Sequence, residues 1–141
     1  MKLKKEIILI FGISIFIIVL EIVTNLITEY SSRNIEDKIK SVNYLLDNIK
    51  DMKLDTEEYY ECKNDVENKI KDLKKEWFIE QNKLSYFSEH DELEKVSKSL
   101  IDLEENAKNE EYKMALEDGK EFEYWLNHVK EKDKLELKNI F

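Results

Sequence analysis

A chain of 141 residues with no proline and only two glycines, Gly12 and Gly119, has few places to turn. Turns draw on Gly and Pro because these residues supply the backbone angles that tight reversals need. Sandwiches, barrels and Gly-loop nucleotide folds of this length are close to excluded, and long helices joined by short polar links remain. Disorder is disfavoured as well, because 42% of the residues are hydrophobic and they recur with the period of a helix. The expected class is all-α.

The N-terminal end carries the second constraint. After Met1-Lys-Leu-Lys-Lys-Glu6 the chain runs uncharged from Ile7 to Leu20, and past Glu21 the apolar character resumes to Ile27. As helix, Ile7 to Ile27 measures about 31 Å, enough to cross the hydrocarbon core of a bilayer. The large apolar residues before Glu21 contribute roughly −6 kcal/mol in sum, against at most ~3 for one central carboxylate. Glu21 lies toward the C-terminal interface, where its cost is smaller, so insertion wins. A cleavable secretory signal needs small residues one and three positions before the cut. The alanines are Ala107 and Ala115, and no cysteine follows the run to suit a lipoprotein. A retained transmembrane anchor over 7–27 is expected, preceded by a basic stub over 1–6 and followed by a body over 28–141.

Lys2, Lys4 and Lys5 crowd one flank of the span, while Arg33, Lys38 and Lys40 stand further off on the other. The closer basic cluster favours a cytoplasmic N-terminus and an extracytoplasmic body on a single-pass protein of the cell membrane. Charges within residues 1–30 cancel, so the net −9 belongs to the body. An acidic body without a basic stripe argues against nucleic acid and against lying flat on anionic lipid.

Beyond the anchor, apolar residues recur at helical spacing in four places. Ile35, Ile39, Val42, Leu46 and Ile49 form the first stripe, widened by Leu45 and Met52. After a break at 53–56, where Asp55 or Thr56 can cap, Tyr59, Cys62, Val66, Ile70, Leu73 and Trp77 form the second, running to about Phe87. Ser88 and Asp91 read as a weak capping box for a third helix with Leu93, Val96, Leu100, Leu103 and Ala107. The fourth carries Tyr112, Ala115, Leu116, Phe122, Trp125, Leu126 and Val129, and the short link at 108–110 makes it an antiparallel neighbour of the third. Glu57-Glu-Tyr59 and Glu110-Glu-Tyr112 echo each other, which fits two α-hairpins in one antiparallel bundle of about four helices. The tail from Lys132 to Phe141 is too polar to span and reads as tucking back onto the domain, or less readily as a docking peptide.

Chemistry is sparse. A di-iron bundle needs Glu-x-x-His pairs, but Phe87 and Trp125 stand three before His90 and His128. His90 lies among Glu89, Asp91, Glu92 and Glu94, which reads as a divalent-ion patch or, more simply, as acidic residues favouring a helix N-terminus. Lone Cys62 on an apolar stripe reads as a small core residue. No catalytic, cofactor-binding or metal-binding residue is assigned, no cofactor is expected, and no constellation supports an enzyme. Among the aromatics, Phe78 and Tyr124 sit beside stripe residues and are candidates for an exposed binding face. Glu21, with Asn25 one turn on, is a candidate contact to another membrane helix; otherwise Glu21 reaches the outer headgroups.

The layout of basic start, single span, Glu/Lys-rich helical body, Phe87-Ser-Glu-His-Asp-Glu-Leu93, Ser99-Leu100 and closing Leu135-Glu-Leu-Lys-Asn-Ile-Phe141 resembles a known family. It is similar to the uncharacterised Firmicutes membrane family catalogued as domain of unknown function number 4363. The resemblance implies a small single-span protein, often encoded near multi-pass membrane proteins of the YetF-like type, and brings no activity or site residues. The expected role is a non-enzymatic accessory or scaffold for another membrane protein, a YetF-like one if the resemblance extends that far. The alternative is an extracytoplasmic ligand-sensing bundle that signals through a partner.

Overall fold

The computed structural model describes the backbone of residues 2–86 and 88–138, and side chains within 7–132 except those of residues 28, 31, 32 and 87. Among the described residues the regular elements are four helices: α1 (Lys2–Ile49), α2 (Glu57–Leu84), α3 (His90–Lys108) and α4 (Tyr112–Lys138). The all-α class, with an N-terminal helix apolar enough to span a membrane and a helical bundle beyond it, is as expected.

The main departure lies at the join. Anchor and first bundle helix are one continuous helix of 48 residues, about 72 Å long. The linking residues 28–34 contain neither Gly nor Pro, and an Arg33–Glu29 ion pair at 2.8 Å spans one turn of them. Nothing local stops the helix, so the polar composition of this stretch marks no end of structure.

Ile35 is the first fully buried residue of α1. From there the four helices pack as a ring in which α1 and α3 each lie between α2 and α4. Lys38–Glu76 ties α1 to α2, Trp77–Ser97 ties α2 to α3, Asn106–Asp118 ties α3 to α4, and Lys130–Glu36 closes α4 onto α1. The levels of these pairs make every neighbour antiparallel, an up-down-up-down bundle. All four stripes meet in one core, with Leu45, Met52 and Trp125 packed at its edge. Across the diagonal, the Trp77 and Phe122 rings stand edge to face at 5.8 Å.

Two hairpins related by sequence echo meet at the distal end. Tyr59 and Tyr112, both buried, bring their hydroxyls within 3.3 Å. The loop before each tyrosine holds one non-glycine residue in the left-handed region, Asp55 at φ 63° and Glu110 at φ 61°. Thr56 is the N-cap of α2, its Oγ1 accepting from the Tyr59 N–H at 3.2 Å.

At the other end the capping expectation fails. The N-cap of α3 is Glu89, with no side-chain cap bond. Ser88 lies one residue too early, its backbone N–H drawn to the Leu84 carbonyl at 2.8 Å as part of the α2 terminus. That helix ends at Leu84, and Phe87 lies outside the described residues. The fourth helix exceeds its stripe, continuing to Lys138 because no breaker intervenes. Ile140 and Phe141 lie outside the described residues, as do the side chains of Leu135 and Leu137.

Candidate functional site

The segment Ile7–Ile27 is long and apolar enough to cross a membrane, and none of it is buried against the protein. Within α1 the polar side chains manage themselves where they can. Ser14 Oγ donates to the Ile10 carbonyl at 3.0 Å, and Thr24 Oγ1 to that of Leu20 at 2.8 Å. Glu21 and Asn25 are half-exposed and one turn apart, hence on one face. Ser14 stands two turns before Glu21 on the same face, a position the sequence reading passed over although its spacing of seven was visible. Ser14, Glu21 and Asn25 therefore form one polar line along the apolar segment, with Thr24 off to one side of it.

Phe78 and Tyr124, the candidate exposed aromatics, are 67% and 62% exposed. They do not form one patch: Phe78 lies on α2, while Tyr124 belongs to a cluster on α4. There Tyr124 stacks on His128, Trp125 meets both rings edge-on, and Lys95 of α3 places its ammonium 4.3 Å from the Trp125 ring centre.

Two buried carboxylates escaped sequence reasoning. Glu92 is held by Lys132 Nζ at 2.9 Å and lies 3.4 Å from His128 Nε2. Lys132 also reaches Glu89 at 2.9 Å, and these two carboxylates push the Lys132 ammonium pKa above its usual range. Glu80 gives one oxygen to Lys83 at 2.8 Å, and its other oxygen has no partner. Both occupy stripe positions, Glu80 three residues after Trp77 and Glu92 four before Val96, and that spacing was the available signal. His90 itself is exposed, and two of its neighbouring acids are committed to Lys132. Among the described residues no group of three or more His, Cys, Asp or Glu side chains is placed to hold a metal ion. Cys62 is buried and lies 4.0 Å from the Leu45 carbonyl, and burial pushes its thiol pKa up.

Between α2 and α3 runs an open groove of about 510 Å³, with Ile70 and Ala107 among its lining residues beside Lys71, Lys74, Glu104 and Lys108. Hydrogen bonds from Lys108 and Lys74 hold the Glu104 carboxyl below the ordinary range. A depressed acid pKa stabilises the fold above the unfolded value, about 4.3, and that contribution is lost as pH falls toward the folded value. Thermal unfolding of the full chain in detergent should show a midpoint that drops on acidification through this window. The drop should be shallower in Glu104→Gln; an unchanged slope would assign the acid sensitivity elsewhere.

The model of a family described as Domain of unknown function (DUF4363) matches residues 22–140. No curated protein and no solved structure matches the chain.

Proposed function

The chain belongs to the DUF4363 family, and from that premise we propose that it is a membrane-anchored, non-enzymatic accessory or scaffold that binds another membrane protein. The observation that carries this reading is the line of Ser14, Glu21 and Asn25 on a helix that its own protein leaves uncovered. An ionisable group in a span faces protein or water in preference to lipid, and polar side chains bond across helix interfaces. In this reading the N-terminus is cytoplasmic, the bundle is extracytoplasmic, and a multi-pass protein of the YetF-like type is a candidate partner.

The test is affinity recovery of the full chain from detergent-solubilised membranes, with mass spectrometry of what accompanies it. The intact protein should sediment with membranes in the absence of detergent, and Glu21→Leu should lower recovery of the partner several-fold, as expected for about 1 kcal/mol of interhelical bonding. Intact chain in the supernatant, or equal recovery with Glu21→Leu, would count against the reading.

A second reading, ligand sensing by the bundle, is favoured by the α2–α3 groove, whose volume falls in the range of small-molecule sites. A small molecule that raises the melting temperature of the wild type, and not of Lys74→Ala, would support it.

A further inference from the structure

The polar line on the span and the core-facing stripe of the bundle lie on the same helix, on the same side of it. Ile35 follows Glu21 by two heptads, and Ile39 follows Asn25 by the same interval. At about 100° per residue, that interval returns each position to within about 40° of its predecessor. No proline occurs, and Gly12 at the far end is the only glycine of α1, so neither helix breaker lies between the two stripes. The line of Glu21, Asn25 and Ser14 thus runs downward about 60° round from the centre of the α1 face that packs against α2 and α4, beneath one side of the bundle.

The vertical clearance is small. Ile35 lies about 12 Å above Ile27 along the helix. Lys130–Glu36 and Asn43–Glu123 set α4 level with α1 at those pairs. Followed in the same register, the end of α4 at Lys138 comes level with position 28, at the upper edge of the apolar segment.

We propose that the Glu21 face receives a transmembrane helix of a different polypeptide, one that ends in a short loop under the bundle, which acts as its roof. This rests on the reading of the chain as a membrane-anchored accessory protein. A second copy fits the site poorly. Parallel membrane helices usually cross at about 20°, so two α1 axes in contact at Glu21 have separated by only ~11 Å more at the height of Val42. Each would carry a bundle roughly 20 Å wide on the side it turns toward the other. A partner helix that stops at the surface meets no such collision.

A benzophenone amino acid placed at position 17, one turn before Glu21 on the same face, or on the opposite face at position 19 of the full chain in its own membranes tests this with Glu21 kept in place. The expected adduct forms at 17 and not at 19, and joins the chain to a membrane-spanning segment of another protein beside a short loop. Inserting two alanines after Tyr30 turns the span about 200° relative to the bundle and should lower partner recovery about tenfold, whereas four alanines restore the facing and most of the recovery. An adduct of the chain with itself, lipid adducts alone, or equal labelling at both positions would overturn the proposal. Recovery that survives both insertions but falls with Glu21→Leu would remove the roof and keep the partner; recovery indifferent to Glu21→Leu would remove the accessory reading itself.

Discussion

Trp77→Ala should cost the bundle about 3–5 kcal/mol, a large part of the 5–15 kcal/mol by which a domain of this kind is stable. Trp77 is 2% exposed at the crossing of the diagonal, edge-on to Phe122, and its indole N–H donates to Ser97 Oγ at 2.9 Å. That hydroxyl in turn donates to the Leu93 carbonyl at 2.9 Å. Truncation opens a cavity touching three helices and leaves no donor for Ser97. Denaturant unfolding of the full chain in mild detergent, followed by helical circular dichroism, measures the loss. Tyr124→Ala, which removes an exposed ring, should stay within about 0.5 kcal/mol. Similar costs for the two would mean that the bundle does not close around Trp77.

Gly119→Ala inverts an ordinary rule. In a helix interior this change normally stabilises by up to about 1 kcal/mol. Here a Cβ would lie 2.0 Å from Asn43 Oδ1 and 3.2 Å from its Cγ, where α4 passes closest to α1. The Asn43 side chain is wedged there, its amide nitrogen donating to Glu123 at 3.4 Å and its oxygen buried without a partner. The Asn43 side chain must swing aside and give up its bond to Glu123, so a net loss of about 1 kcal/mol is expected. In Asn43→Ala/Gly119→Ala both clashing atoms are gone, and the next nearest, Ile39 Cδ1, lies at an ordinary 3.6 Å from the new methyl. The double variant should therefore be more stable than the sum of the two single changes, a coupling that a double-mutant cycle in the same unfolding assay reads directly. If Gly119→Ala alone proves stabilising, α1 and α4 are further apart than described.

Much of the bundle was legible because a helix writes its buried face into the chain every three or four residues. Ile35 through Ile49, Tyr59 through Trp77 and Leu93 through Ala107 all lie where their spacing put them. What spacing cannot express is which short polar stretch ends a helix. The stretch 50–56 does: the helix stops at Ile49, Asp55 takes a left-handed backbone angle, and Thr56 caps the start of α2. Residues 28–34, no less polar, do not. Nor does composition distinguish a solvated carboxylate from Glu92, whose burial depends on Lys132 arriving from a helix 40 positions away. No spacing assigns Gly119 a role; only the neighbouring helix gives its missing methyl a meaning. On the candidate surface, Glu21 and Asn25 stood out by charge and polarity. Their alignment with the bundle core emerged only once α1 proved continuous.

That continuity has a mechanical consequence. Domains hung from membranes on flexible tethers explore a wide volume, set by the length of the tether. With Ile7–Ile27 inserted as we propose, this one stands on a mast. Bending α1 between lipid and bundle would break backbone hydrogen bonds, so the inserted half and the outer half pivot together. A 10° lean about the middle of the span carries the loops near Ile49, ~48 Å up the rod, sideways by about 8 Å.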